Sequence, residues 1–321
     1  MGKQYAELPV NQMLTGDDVI GFFLLNNANV KTSTNGSQFL AGKIGDKDAE
    51  IDFKIWDYNS DLHENVGSVI KVCGTVTEYN GVKQIVVDRA RLAQSGDPYN
   101  LANLVPCAPI DIDATYHNLQ SILNNIQDNV YRAIALAMLD RMGEDMKRIP
   151  AAKSMHHAFL AGLLMHTYNI IQMALATADI YGSTVDSDLL VCGAFCHDTS
   201  KRKEYIISDI GLVKDYSVRG NLLGHLVMGA QEIADIAKEL GFDENCEQVL
   251  LLQHLLLSHH GEPEYGACVV PKVLEAQILH LLDMLDAKVE MYRELLADME
   301  PGTMSDNIRG MGHGIYKPTG V

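Results

Sequence analysis

From about residue 18 to residue 93 apolar and polar positions alternate in five short runs, VIGFFLL, QFLAGKI, EIDFKIW, SVIKVCGTV and QIVVDRARL, separated by clusters of Asn, Gly and Asp. A period of two is the mark of half-buried β-strands, and five strands in this length predict a small barrel. Between the last two runs, Asn80-Gly81 tolerates the positive φ angles of a tight primed turn and predicts a hairpin. The alternation also assigns faces. Leu40, Gly42 and Ile44 share one with Ile51, Phe53 and Ile55, whereas Phe39 and Lys43 share the other with Lys54 and Trp56. A face that mixes rings with amines suits single-stranded nucleic acid, because bases stack on the rings while cations follow the phosphates. The sequence leaves open the alternative that Phe39 and Trp56 only cover the barrel's edge, and Lys31 and Lys83 are candidates to widen the strip.

Beyond a Gly-, Pro- and Asn-containing linker at 96–108, apolar residues recur at spacings of three and four. Helices are expected over 116–142, 152–180, 187–199, 221–240, 245–259 and 271–298, with prolines at or near their ends. The organisation is therefore two-domain: a barrel over 1–95, then an all-α domain over 109–321 with its core at about 150–298.

Composition narrows the function. The net charge is −17, with nine Lys and Arg against twelve Asp and Glu up to residue 95 and sixteen against thirty after it. Such a chain does not coat nucleic acid by bulk electrostatics, although a nuclease that grips phosphates through metal ions remains compatible with it. No apolar stretch is long enough to span a membrane, and the first residues, MGKQYAELPV, lack the features of a secretory signal, so a cytoplasmic protein is expected. Six cysteines without a CxxC pair are expected to be reduced and mostly buried in packing roles.

The chemistry resides in the helical stretch from 116 to 298, which holds ten of the twelve histidines. His197-Asp198 closes the run LLVCGAFCHD, where an unpartnered imidazole and carboxylate would be costly to bury. A divalent transition metal supplies a partner, and a carboxylate has two oxygens with which to bridge two ions. Comparable settings surround His166 in AGLLMHTYN, His225 in NLLGHLVMG, His259-His260 in LLLSHHGE and Asp283 in LHLLDMLDA. One such histidine is an ordinary core residue. Five apolar segments each presenting a His or Asp are not readily independent accidents.

His166, His197-Asp198 and Asp283 resemble the H…HD…D signature of the HD phosphohydrolase superfamily. The strings HHAFLAGLLMHT, CGAFCHDTSK, LLGHLVMGA, LSHHGEPEYG and PKVLEAQILHLLDMLDAK, behind a barrel and a linker, look like the YhaM family of 3′-to-5′ exoribonucleases. The resemblance implies an α+β protein in which an N-terminal OB-like β-barrel is followed by an all-α HD domain. It implies one ion held by His166, His197, Asp198 and Asp283, and a second held by His225, His259 and His260, with Asp198 bridging. Two divalent transition-metal ions are the implied cofactors, Mn²⁺ foremost, with Fe, Co, Ni or Zn as other occupants. They would activate water against the terminal phosphodiester of single-stranded RNA or DNA, releasing nucleoside 5′-monophosphates, with Asp198, Lys201 and His157 as catalytic residues and Phe39, Lys43, Lys54 and Trp56 as substrate-binding ones. His254 and His280 match the family strings but suit supporting or packing roles, and Asp286 is a candidate to hold a ligand imidazole. One departure stands out: related HD proteins usually have Gly before the lysine where this chain has Ser200. The alternative activity is hydrolysis of a small nucleotide or cyclic dinucleotide, with the barrel serving assembly; a homo-oligomer is left open.

Overall fold

The computed structural model describes residues 3–152, 159–208, 210–297, 299–308 and 311–320, and its contacts divide into two compact units. The first comprises the chain up to Cys107 with Ile207–Leu212; the second comprises Ala108–Ile206 and the chain from Val213 onward.

The first unit is a closed barrel of five strands, β1 (Asp18–Thr32), β2 (Gln38–Gly45), β3 (Glu50–Ile55), β4 (Val69–Tyr79) and β5 (Val82–Leu92). Their order is β1-β2-β3-β5-β4, with β4 pairing back onto β1 and a parallel β3–β5 contact, which is OB-like. Closure leaves the barrel no open edge. Alternation set the faces as expected: Leu40, Ile44, Ile51 and Phe53 are buried in a core shared with Phe23, Leu25, Ile70, Val76 and Ile85. Gly42 serves this closure, because a Cβ there would stand 2.0 Å from the Asn27 carbonyl oxygen of the neighbouring strand. The β4–β5 turn is the predicted one, with Asn80 and Gly81 at φ 52° and 79°.

The second unit is helical and begins with α1 (Ile112–Asn124) and α2 (Asn129–Met142). The run expected as one helix over 116–142 is thus broken. Asp188 accepts hydrogen bonds from the amides of Gln127 and Asp128, and Asp128 in turn caps α2 through the amides of Val130 and Tyr131. Next come α3 (Gly162–Tyr181), which starts ten residues later than the expected 152, and α4 (Ser187–Cys196). A four-residue helix α5 (Lys201–Glu204) and a small hairpin of β6 (Tyr205–Ile207) and β7 (Val213–Tyr216) follow, neither of them anticipated. The helices α6 (Val218–Glu239), α7 (Glu247–Ser258) and α8 (Leu274–Ala297) complete the unit. Helix α4 lies centrally, packed on α2, α3, α7 and α8, and its residues from Leu189 to Cys196 are all buried. A helix apolar on every side has no solvent face to offer, so any polar group at its end must find a partner inside the protein.

Among the described residues no helix is long and apolar enough to cross a membrane. Of the six cysteines only Cys192 and Cys196 are buried; Cys268 is exposed and the other three are intermediate, which corrects the expectation of mostly buried thiols.

A candidate binuclear metal centre

Helix α4 ends at Cys196, and the chain turns so that His197 and Asp198 face inward, 0% and 2% exposed. Four other segments bring their polar residues to the same point. His166 comes from the second turn of α3, and Asp283 from the middle of α8. His259 caps α7 and His260 follows it. His225 is placed by a break: Gly224, at φ 69° and ψ 164°, interrupts α6 and redirects the chain just before the histidine.

The ligand atoms gather into two triads, His166, His197 and Asp198 on one side and His225, His259 and His260 on the other, each within 4.8 Å. Asp198 faces both. Its Oδ2 lies 3.6 Å from His166 Nε2 and 3.4 Å from His197 Nε2, while its Oδ1 lies 3.2 Å from His225 Nε2 and 3.8 Å from His259 Nε2. Asp283 Oδ1 stands 3.2 Å from His166 Nε2, joining the first triad. Lys201 Nζ donates to Asp198 Oδ2 at 2.6 Å. His157, the remaining catalytic candidate, lies outside the described residues.

The imidazoles are oriented by what holds their far nitrogens. His197 Nδ1 is hydrogen-bonded to the Ala194 carbonyl and His259 Nδ1 to the Leu256 carbonyl, both at 2.8 Å, which leaves each Nε2 as the inward atom. His166 Nδ1 is 2.7 Å from Asp286 Oδ2, and Asn169 steadies that carboxylate by donating to its other oxygen. His225 Nδ1 lies 3.1 Å from both oxygens of Glu204, which also accepts the His225 amide. These are the outer carboxylates and carbonyls that metal-ligating histidines characteristically engage.

Electrostatics fit a cation at the centre. Burial holds His259 well below its ordinary pKa and also lowers His260, so both rings are neutral donors at pH 7. Burial disfavours charge on His166 too, yet Asp283 and Asp286 outweigh it and raise its pKa to about 9. His225 is likewise raised, with Asp198 and Glu204 overcoming burial. Burial alone would raise Asp198, but Lys201 and His197 hold it well below the carboxylate range. Despite this, the buried atoms Asp198 Oδ1, His225 Nε2 and His260 Nδ1 have no hydrogen-bond partner among the described residues. Orphaned buried donor and acceptor atoms on three residues of the cluster fit a divalent ion, whose charge would replace the protons that the carboxylates now draw onto His166 and His225.

The sequence missed Glu204 and Glu232. Glu204 is 6% exposed, and its only sequence signal is an acid at the end of a basic run, SKRKE, just before an apolar strand. Glu232, 1% exposed, binds Ser200, Arg141, Arg202 and Lys203. This network accounts for the departure at Ser200. The residue sits at φ −74°, a conformation that needs no glycine, and its hydroxyl donates to Glu232 at 3.1 Å, so the turn carrying Lys201 keeps its geometry.

The HD domain family profile matches residues 163–288, a span that contains every one of these histidines and aspartates. The helical unit is thus an HD domain, of the metal-dependent phosphohydrolase class. Over most of its length the chain is also 33% identical to 3′-5′ exoribonuclease YhaM of Listeria welshimeri, across 307 residues covering 94% of this chain and 96% of that one. The corresponding exoribonuclease of Bacillus licheniformis is 32% identical over 306 residues, with 94% and 96% covered. The chain belongs to the YhaM exoribonuclease family. A crystal structure of the Listeria monocytogenes phosphodiesterase PgpH HD domain with cyclic-di-AMP aligns at 19% identity and a TM-score of 0.30, covering 51% of this chain and 75% of that one, too slight a likeness to bear on the substrate.

On the barrel, Phe39 is half-buried against the exposed Trp56, their ring centroids 5.0 Å apart. Lys54 Nζ lies 5.8 Å from the Trp56 ring and 4.7 Å from that of Tyr79. Lys43 is exposed and 3.4 Å from Glu50, and Lys31 is paired in register with Phe39. Lys83 does not extend the strip as a free cation, since its ammonium donates to the Met13 carbonyl at 2.8 Å.

Proposed function

We propose that this protein is a metal-dependent 3′-to-5′ exoribonuclease that hydrolyses single-stranded RNA to nucleoside 5′-monophosphates in the cytoplasm. The observation that carries the reading is the position of Asp198, whose two carboxylate oxygens face separate triads of ligand atoms in a chain related along most of its length to exoribonucleases. His166, His197, Asp198 and Asp283 hold one ion, and His225, His259 and His260 hold the second with Asp198 shared. An imidazole-rich shell suits Mn²⁺ or another transition metal better than Mg²⁺, which prefers oxygen. When bound, such ions lower the pKa of a coordinated water and offset charge on the phosphoryl oxygens.

The protein's own residues provide the rest. The Asp286 and Glu204 carboxylates keep the His166 and His225 rings turned inward. Lys201, largely buried beside Asp198, places a cation where the scissile phosphate arrives. The barrel captures the strand, with Phe39 and Trp56 as stacking platforms and Lys43 and Lys54 as phosphate contacts.

Incubating the purified protein with Mn²⁺ and 5′-end-labelled RNA, matching DNA and cyclic dinucleotides tests the reading. A ladder shortening from the 3′ end of RNA, with mononucleotide products, is expected. Cleavage of the cyclic dinucleotide with no laddering would transfer the activity to the small-nucleotide class.

A further inference from the structure

The metal-ligand cluster forms the floor of a cavity of about 450 Å³ in the helical unit, whose wall includes Lys201, Tyr265, Met284 and Lys288. That volume lies in the range that encloses one small ligand, roughly 300 to 1,000 Å³, and so admits a single nucleotide rather than a folded strand. Among the described lining residues Tyr265 is the one aromatic side chain other than histidine, and it is 73% exposed. Lys288 is exposed and has no carboxylate partner among the described residues, so the cavity wall presents a cation to an anionic ligand.

Tyr265 sits on a hydrogen-bonded backbone turn. Directly after the His259-His260 pair, Gly261 and Gly266 adopt φ 81° and 95°, and a single turn at Pro263–Tyr265 lies between them. The Tyr265 amide donates to the Glu262 carbonyl at 3.0 Å, and the Gly266 amide donates to that of Pro263 at 2.9 Å. A Cβ at Gly266 would come within 3.4 Å of His260 Nδ1, which shows how closely this turn approaches the ligand pair. The backbone that carries this exposed ring is held in the same short segment as the two histidines, so little backbone freedom is lost when a planar group settles on the ring.

We infer that Tyr265 is the stacking platform for the base of the 3′-terminal nucleotide, a subsite within the cavity that registers the last residue of the strand over the reacting centre. This rests on the exoribonuclease reading and refines it. Stacking on an aromatic side chain tolerates every base, which suits an enzyme that removes residues regardless of sequence.

The test uses full-length, Mn²⁺-loaded protein and two RNAs of the same sequence, one ending in an ordinary nucleotide and one whose terminal nucleotide lacks its base. The wild type is expected to release the base-bearing residue with a kcat/KM about five- to a hundred-fold higher than the abasic one. Tyr265→Ala should remove most of that preference and Tyr265→Trp should keep it, with bound Mn²⁺ and circular dichroism confirming that each variant is intact. Equal rates on the two RNAs in the wild type, or an undiminished preference in Tyr265→Ala, would overturn the subsite alone. Failure of the wild type to release mononucleotides from either RNA would instead sink the exoribonuclease reading, and the subsite with it.

Discussion

The two units handle polar side chains in opposite ways. The barrel buries an apolar core and displays Phe39, Trp56, Lys43 and Lys54 on its outer surface, where water already solvates the charges. The helical unit does the reverse, enclosing His166, His197, Asp198, Glu204, His225, Glu232, His259 and Asp286 within its core. An exposed strip costs the fold little and offers weak, salt-screened contacts suited to holding many sequences. A buried cluster is expensive unless its charges are met, and that expense is what fixes its geometry. Substitutions in the two places should therefore fail differently.

The largest effect is expected at the centre of the buried cluster. Asp198→Ala removes the carboxylate that faces both triads, and metal-dependent turnover should fall to background while RNA binding measured by fluorescence anisotropy changes little. More than a small residual metal-dependent rate in a well-folded variant would contradict a shared role for that carboxylate.

An intermediate effect is expected one bond further out. Glu204→Gln keeps the shape of the contact with His225 Nδ1 but weakens it, and affinity for the second Mn²⁺ should drop by about 10- to 100-fold in calorimetry. Unchanged affinity at both sites would reduce Glu204 to a packing role.

The smallest effect on chemistry is expected at the barrel. Trp56→Ala combined with Lys54→Ala should weaken binding of a long single strand by about tenfold or more and flatten its salt dependence, while cleavage of a dinucleotide stays near wild type. Equal losses on both substrates would erase the contrast between capture and catalysis.

The contrast also explains what was legible in the sequence. Alternation exposed all five strands and their faces because each barrel strand has one wet side and one dry side. The buried cluster was legible because apolar segments such as LLVCGAFCHD have no reason to end in a histidine and an acid. The break at Asn125–Asp128 was hidden because the Asp188 side chain that stabilises it is distant in sequence. Glu204 and Glu232 were missed for the same reason: each matters through partners that only the tertiary fold supplies, His225 for one and Ser200 with three basic residues for the other. The kink at Gly224 was equally silent, since a glycine within a helical pattern looks like a weak helix residue rather than a hinge that aims the next side chain.

Crystals soaked in Mn²⁺ and measured at the manganese absorption edge offer the most direct trial. Two anomalous peaks are predicted, one among His166, His197 and Asp283 and the other among His225, His259 and His260, with Asp198 between them. A lone peak, or ions bound elsewhere with these imidazoles left uncoordinated, would contradict the binuclear centre.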